Sequence, residues 1–201
     1  GTGRWTAVEA QHLAAPVPVI EAAVMARNVS ARRDERAAGE ARFGKAGGPV
    51  DLSLDDLEAA MIAGKILCYA QGFAMMTAAA REFDWALDMP AIARVWRAGC
   101  IIRSSMLNDM AQALAEDSAR NLILAPFFAG LLDASLPALR RVVAAGALHG
   151  LPSAGLSWFD LMRQARGTAN MVQGQRDFFG AHGFDRLDGK DLRHGPWGNG
   201  A

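Results

Sequence analysis

The middle of the chain carries a run of residues whose apolar side chains recur on every side of a helix. Between Leu54 and Phe83 the spacing of three and four residues repeats on more than one face. A helix that is apolar all round is buried by neighbours all round. Ser53, with Asp56 three residues later, is typical of a helix N-terminus. The pattern therefore predicts a long, buried central helix over 54–83.

Helical patterns also dominate the rest of the chain, and no stretch alternates apolar and polar residues long enough to predict a strand. Thr6 and Glu9 have the spacing of a capping box, which places the start of the first helix at Thr6. Proline and glycine separate the later helices. The other predicted helices are 6–14, 19–39, 89–97, 104–115, 122–133, 137–150, 156–166 and a last one, capped by Thr168, that ends near 179. The predicted fold class is all-α.

The character of the sequence changes after Gly180. Residues 183–201 hold five glycines and many charged side chains, which is too little apolar surface to pack alone. Phe184, Leu187 and Trp197 recur as apolar anchors in this segment, so we predict an extended tail that docks on another surface. The predicted organisation is an all-helical domain over 1–182 and an extended tail over 183–201.

Composition narrows the classes of function. The chain has 201 residues, of which 51% are hydrophobic, and its 21 basic and 21 acidic side chains give no net charge. Nucleic-acid and acidic-membrane partners favour a basic excess, so neither is expected. The most apolar stretch, 66–80, contains Gln71 and Thr77 and is shorter than the roughly 20 residues that span a bilayer. We expect a core helix there and no membrane partner.

The cysteines and histidines predict neither a disulfide nor a metal site. Cys68 and Cys100 lie in apolar stretches, as reduced core residues of a cytosolic protein do, and the four histidines do not cluster. The chain begins with Gly1, and no Gly-x-Gly-x-x-Gly follows a strand. We therefore expect a fragment of a longer protein, without the dinucleotide-binding unit. The four tryptophans in or beside helical segments, Trp5, Trp85, Trp96 and Trp158, are interpreted as core residues.

Three side chains are candidates for binding an anion. Arg27 lies in a bland helical segment without a carboxylate four residues away, and a solvated surface arginine is the alternative interpretation. Arg176 and His182 lie six residues apart, across a helix end. A guanidinium matches phosphate oxygens, and histidine adds a donor that titrates near neutrality. A cationic cap on a helix C-terminus explains this pair equally well.

Five segments, taken in order, resemble the 6-phosphogluconate dehydrogenase family over essentially all 201 residues. The segments are Gly1-Thr2-Gly3-Arg4-Trp5-Thr6, Lys65-Ile66 with Tyr69-Ala70-Gln71-Gly72-Phe73, Glu82-Phe83 with Trp85, Trp96-Arg97 with Gly99-Cys100-Ile101-Ile102-Arg103-Ser104, and Gln175-Arg176-Asp177-Phe178-Phe179-Gly180-Ala181-His182. Each segment alone is a modest signal. Five in the family's order, with compatible gaps, form a specific one.

The resemblance implies a cytoplasmic, NADP-dependent enzyme that oxidises and decarboxylates 6-phosphogluconate to ribulose 5-phosphate, in the pentose phosphate pathway. It implies a homodimer, an NADP-binding Rossmann domain that precedes this helical domain, and a tail that reaches the partner subunit. The position of Arg27 binds the substrate phosphate in the family. The positions of Arg176 and His182 bind substrate in the neighbouring subunit's site. The family's catalytic Lys and Glu lie upstream, so no catalytic residue is expected in this chain.

Some positions depart from the family pattern. Arg4 replaces the usual Lys, and the tail motif is reduced to His194-Gly195-Pro196-Trp197-Gly198-Asn199-Gly200. The tail's finer contacts therefore stay open. Two alternatives are a stand-alone helical dimerisation module without enzyme activity and a related β-hydroxyacid dehydrogenase. Retention of Arg176 and His182 favours a phosphorylated sugar acid over the latter.

Overall fold

The structure is a computed structural model that describes residues 2–45, 49–151, 169–184 and 194–197. The chain forms two compact units, Gly1–Trp158 and Phe159–Ala201. The helices of the first unit are α1 (Thr2–His12), α2 (Pro18–Ser30), α3 (Arg33–Phe43), α4 (Leu54–Glu82), α5 (Met89–Gly99), α6 (Met106–Glu116), a 3₁₀ turn (Leu122–Leu124) and α7 (Pro126–Leu148). The second unit contains α8 (Ala169–Gly180). No strand occurs among the described residues, and the predicted all-α class is confirmed.

The predicted central helix is confirmed as α4, the longest helix of the first unit. The Ser53 side chain caps it by accepting a hydrogen bond of 3.0 Å from the Asp56 N–H. Helix α4 packs along α7, and α5 packs on α6. The most deeply buried large side chains come from α4, α6 and α7: Ile66, Leu67, Leu107, Met110, Phe128 and Leu132. Each contributes roughly 1.5–3 kcal/mol of transfer free energy.

An ion pair on the surface also joins α4 to α7. The Arg141 guanidinium donates from Nη2 to Asp56 Oδ1 at 2.5 Å and from Nε to Oδ2 at 3.0 Å, a two-point contact. This contact holds the pKa of the Asp56 carboxyl below its usual range. The start of α4 is thus fixed both by its Ser53 cap and by α7.

The prediction that α4 is buried on every face is wrong within the first unit. Met61 and Cys68 are exposed, while Ala63 and Ile66 on the opposite side are fully buried. By length and composition α4 could cross a membrane, with a mean hydropathy of 1.3 in its most apolar window. Helix α4 packs on α7, and this packing explains its apolar composition, because the apolar side chains form the core side of the helix.

The prediction of core tryptophans is wrong for Trp5 and Trp85. Trp5 exposes 71% of its surface and Trp85 exposes 54%, so neither belongs to the core of its unit. Trp197, predicted as an anchor of the tail and not as a core residue, exposes 43%. Trp96 is partly buried and contacts the Phe73 ring, with 5.3 Å between the centroids. Trp158 lies outside the described residues.

The N-terminal helix begins earlier than predicted, at Thr2. Thr6 does not cap it, because the Thr6 hydroxyl donates to the Thr2 carbonyl at 3.1 Å. A hydroxyl that bonds a carbonyl four residues back is a side chain inside a helix. The capping-box spacing therefore misplaced the N-terminus by about one turn.

The predicted helix over 19–39 is two helices, α2 and α3, which meet at Ala31 and Arg32. Arg32 leaves helical backbone, with φ −87° and ψ 67°. The Ser30 hydroxyl donates to the Arg27 carbonyl at 2.7 Å, and the Arg36 guanidinium donates to the Ser30 carbonyl at 3.1 Å. These bonds satisfy carbonyls that the helix end would leave without partners.

The two helices predicted on either side of Pro137 are one helix, α7, with Pro137 inside it. The first turn of the helix predicted over 122–133 is instead a separate 3₁₀ turn, which ends before Pro126. Asn121 caps that turn, since its side chain accepts a hydrogen bond of 3.1 Å from the Ile123 N–H. Leu132, Leu136 and Leu139 are buried on both sides of Pro137, and this packing keeps the helix continuous.

The second unit contains the last helix at nearly the predicted position, since α8 ends at Gly180. The predicted helix over 156–166, the turn at Pro152 and the Thr168 cap lie outside the described residues. Of the tail, the described residues are Gly183, Phe184 and 194–197. The division at residue 182 and the docking of the tail on a partner stay predictions.

Candidate cationic sites

Arg27 lies in the last turn of α2, where its exposed side chain borders an open cleft of about 900 Å³. The cleft is lined by residues of α1 and α2 and of the α2–α3 junction: Gly3, Arg4, Ile20, Ala23, Val24, Arg27, Asn28, Ala31 and Arg32. Three of these are arginines, and none is acidic. The cleft therefore offers a cationic rim above an apolar floor.

Close packing of α1 on α2 forms the floor of the cleft. A Cβ placed on Gly3 would lie 3.0 Å from Val24 Cγ2, which is tighter than an ordinary methyl contact. Gln11 Nε2 donates to Glu21 Oε1 at 2.6 Å and joins the two helices further along. Gly3 thus allows the first turn of α1 to approach the face of α2 that ends in Arg27.

The electrostatics of the cleft suit an anion. The first turn of α1 contains no acidic side chain. Arg27 has one weak side-chain contact, at 3.4 Å to the Ser30 hydroxyl, whereas Arg32 pairs with Glu35 at 3.2 Å. Arg27 and the exposed Arg4 are therefore the cleft arginines available to a ligand.

Arg176 and His182 lie together at the end of α8, in the second unit, whereas Arg27 belongs to the first unit. Both side chains are exposed and have no hydrogen-bond or ion-pair partner among the described residues. The His182 ring lies against Gly180, where an added Cβ would meet Cδ2 and Nε2 at 2.8 Å. Ala181 has a left-handed φ of 49°, which turns the chain back over the helix end. Arg176 and the His182 imidazole therefore lie on either side of the end of α8 in the chain.

Asp177 stands within the last of the five motifs, and no role was predicted for it. Its carboxylate, 3% exposed, lies between Arg176 and His182 in the chain and contacts the tail residues His194, Gly195 and Trp197. The sequence shows only an acidic residue between Arg176 and two phenylalanines, Phe178 and Phe179. No local spacing connects it to residues 17–20 positions later.

The motif around Tyr69 acts as a set of structural ties. Burial raises the pKa of the Tyr69 phenol, which donates to the Ile102 carbonyl in the Gly99–Ser104 motif. Gln71 accepts a hydrogen bond from the Val19 N–H of α2. Phe73 contacts Trp96, so three alternate residues of one motif hold three other segments.

The described residues contain no group of three His, Cys, Asp or Glu side chains able to hold a metal ion. The two cysteines are free; Cys68 is exposed and Cys100 is partly buried, so the prediction of two core cysteines is wrong for Cys68.

The fold and its two cationic sites define an all-helical domain suited to an anionic ligand. The 6-phosphogluconate dehydrogenase C-terminal domain family matches residues 1–197. The chain belongs to this family, and the expected family membership is confirmed.

Relatives and solved structures agree with this assignment. The decarboxylating 6-phosphogluconate dehydrogenase of Schizosaccharomyces pombe is 42% identical over 193 residues, covering 92% of this chain and 39% of that protein. The Escherichia coli strain K12 enzyme of the same name is 39% identical over 206 residues, covering 98% and 44%. This chain thus spans about four-tenths of the length of these relatives.

A solved structure has the same fold. It is Plasmodium falciparum 6-phosphogluconate dehydrogenase, described in its apo form, with its cofactor NADP+ and with its substrate 6-phosphogluconate. It superimposes with a TM-score of 0.85 at 33% identity, covering 98% of this chain and 44% of that one.

Proposed function

We propose that this chain is the substrate-binding and dimerisation domain of an NADP-dependent, decarboxylating 6-phosphogluconate dehydrogenase. The observation that carries the proposal is the Arg27 cleft, found in a chain whose relatives carry that enzyme's name. The enzyme would convert 6-phosphogluconate to ribulose 5-phosphate, carbon dioxide and NADPH. A cytoplasmic location accords with relatives that are metabolic enzymes.

Arg27 would hold the substrate phosphate. A guanidinium binds two phosphate oxygens at once. Each charged hydrogen bond contributes roughly 1.5–3 kcal/mol. Binding energy at the phosphate is remote from the reacting carbons and would serve to orient them.

Arg176 and His182 would complete the substrate site of a partner subunit. Their exposure supports this role, since neither has a partner of its own among the described residues. A homodimer would also cover large apolar side chains that the described units leave open, including Trp5, Phe43, Met61 and Ile101. The docking of the tail on the partner belongs to the same proposal, with the segment 194–197 still held on α8 of its own chain.

The redox chemistry would come from outside this chain. NADP, when bound, accepts the hydride from the substrate; the sequence here holds no dinucleotide fingerprint, so a preceding domain would bind it. The general acid and base would lie upstream too. The residues of this chain would bind and orient the substrate.

The first experiment measures turnover by the complete polypeptide. With 6-phosphogluconate and NADP we expect equal amounts of NADPH and carbon dioxide, and none from the 201-residue chain alone. Arg27→Ala should raise KM for 6-phosphogluconate at least about tenfold, because charged hydrogen bonds are lost. Arg33→Ala is the matched control, an exposed arginine outside the cleft, and should leave KM unchanged.

Arg176→Ala tests the contribution to the partner site and should also raise KM strongly. An unchanged KM would refute that role. A protein that dimerises without turnover, and that has no dinucleotide-binding segment upstream in the same reading frame, would be the stand-alone module. Faster turnover of an unphosphorylated hydroxy acid would instead indicate a related β-hydroxyacid dehydrogenase.

A further inference from the structure

Asp177 is a buried carboxylate in an otherwise exposed stretch of α8. It exposes 3% of its surface, whereas Phe178 and Phe179 beside it expose 54% and 82%. A buried carboxylate is tolerated when hydrogen bonds replace its hydration. The contacts of Asp177 therefore show what the end of α8 is built to hold.

Four donors surround the carboxylate. Oδ1 accepts from the Gly183 N–H at 2.8 Å and lies 2.6 Å from His194 Nδ1. Oδ2 accepts from the Gly195 N–H at 2.7 Å and from the Trp197 indole N–H at 2.6 Å. A carboxylate has about four acceptor positions, and the described contacts fill them. One side chain thus joins the helix, the corner that follows it and a tail segment.

Packing around Trp197 supports the same arrangement. The indole meets the Phe178 ring edge to face at 6.1 Å, and a Cβ on Gly174 would touch it at 3.7 Å. A Cβ on Gly195 would lie 2.0 Å from Trp197 Cζ2, so only glycine allows the indole to fold over that residue. The segment 194–197 is shaped to fit the face of α8.

The contacts of Asp177 involve residues next to Arg176 and His182, the two proposed substrate-binding residues. Arg176 immediately precedes Asp177, and the N–H bonded to Asp177 Oδ1 belongs to Gly183, the residue after His182. The His182 ring rests on Gly180 inside this corner. Fixing residues 177 and 183 therefore restricts His182, which lies between them in this corner.

We infer that Asp177 is a positioning residue: by joining α8 to the segment 194–197, its carboxylate holds Arg176 and His182 in one arrangement for a phosphorylated substrate. The inference rests on the proposed function for the identity of the ligand. The coupling of Asp177 to the segment 194–197 is independent of that function.

The test uses the complete polypeptide with Asp177→Asn, which keeps the size of the side chain and removes its charge and one acceptor oxygen. Backbone amide exchange at Gly183 and Gly195 should speed up at least tenfold. KM for 6-phosphogluconate should rise about tenfold while kcat stays within about twofold, since misplacement weakens binding. Asp109→Asn, at an exposed position of α6, is the control and should change neither quantity.

A double-mutant cycle separates positioning from general destabilisation. Because Asp177 is inferred to act partly through His182, Asp177→Asn should raise KM less in the His182→Ala background than in the wild type. Independent, additive effects would overturn the inference. Trp197→Phe keeps an aromatic ring and removes one donor, so it should give the same changes in smaller measure. This milder variant also tests the inference if Asp177→Asn does not fold.

Two failures are distinguishable. If the wild-type protein does not oxidise 6-phosphogluconate, the proposed function is wrong, and so is the positioning of a substrate pair, while amide exchange still decides whether Asp177 holds the segment 194–197. If the wild type is active and Asp177→Asn leaves amide exchange and KM unchanged, the inference alone is wrong.

Discussion

The side-chain carbonyl of Gln71 accepts a hydrogen bond of 3.0 Å from the backbone N–H of Val19. Gln71 is buried within α4, and Val19 lies in the first turn of α2, where N–H groups have no partner in the helix. Arg27 lies at the other end of α2. A single α4 side chain therefore anchors the helix that presents the cleft arginine.

Gln71→Met should destabilise the protein by about 1 kcal/mol, because the Val19 N–H loses its partner. The loss is moderated because Gln71 Nε2 is buried without a partner among the described residues, and methionine removes that polar group. A looser α2 should raise KM for 6-phosphogluconate and leave kcat unchanged. Urea unfolding and steady-state kinetics measure the two effects.

Gln112→Met is the control for this substitution. Gln112 is exposed and bonds Glu116 at 3.3 Å on the surface of α6, so its replacement should change the free energy of unfolding by less than about 0.5 kcal/mol. Equal effects at both positions would contradict an anchoring role for Gln71.

Gly3 provides a second test of how the cleft is built. In an open helical position Gly→Ala stabilises by roughly 1 kcal/mol. At Gly3 the new Cβ would press on Val24 at 3.0 Å, so we expect no gain in stability and a higher KM for 6-phosphogluconate. Adding Val24→Ala should remove the contact and restore KM towards that of Val24→Ala alone.

Gly39→Ala in α3 is the matched control, because a Cβ there meets nothing within 4 Å. Thermal unfolding should show stabilisation at Gly39 and none at Gly3. Stabilisation of the same size at both positions would show that α1 and α2 are not in restrictive contact.

The long helix and its cap were predictable because their signals are local. Ser53, Asp56 and the apolar positions of α4 lie within one continuous segment. The break between α2 and α3 was missed, since Arg32 and its neighbours are good helix formers and the break depends on the Arg36 contact to the Ser30 carbonyl. At Pro137 the error was the opposite one: a break was predicted, but buried leucines on both sides keep α7 continuous.

The residues of the candidate sites show the same difference between local signals and long-range contacts. Arg27, Arg176 and His182 were assigned to substrate through the family resemblance, because composition and spacing left each with a surface interpretation that was at least as good. Asp177 stands in one of those motifs but acquires its role from His194 and Trp197, which only the folded chain brings to it. Contacts across such separations leave no periodic trace in the sequence.

Asp177 also predicts how the tail responds to acid. Burial would raise the pKa of this carboxyl, but hydrogen bonds from Gly195, His194, Trp197 and Gly183 outweigh burial and hold the pKa well below its usual range. A depressed folded-state pKa contributes stability above the unfolded value of about 3.9, and that contribution is lost as the pH falls further. Among the described residues, His194 is the one other titratable group in contact.

We therefore expect the Asp177 carboxylate to keep the segment 194–197 bound to α8 from neutral pH down to about pH 4. Below that pH the segment should detach. The Trp197 indole N–H resonance, which reports its bond to Asp177, is the measurement. Asp177→Asn should abolish the acid transition. Detachment centred well above pH 5 in the wild type would count against Asp177 as the group that titrates.

Pro137 gives a prediction about stability alone. It lies in the interior of α7 on an exposed side and lacks the N–H that would bond the Asp133 carbonyl. Pro137→Ala restores this donor, at the cost of a freer unfolded chain worth roughly 0.4–1 kcal/mol. We expect a net stabilisation of about 1–2 kcal/mol with unchanged kcat and KM.

Pro126→Ala in the same helix is the control for Pro137→Ala. Pro126 occupies the first turn of α7, where a missing N–H leaves no carbonyl without its partner. Its replacement should destabilise by a few tenths of a kcal/mol up to about 1 kcal/mol, through the unfolded chain alone. Urea unfolding of the two variants should therefore give changes of opposite sign. Destabilisation by both would mean that α7 has adapted to Pro137 and gains nothing from the restored hydrogen bond.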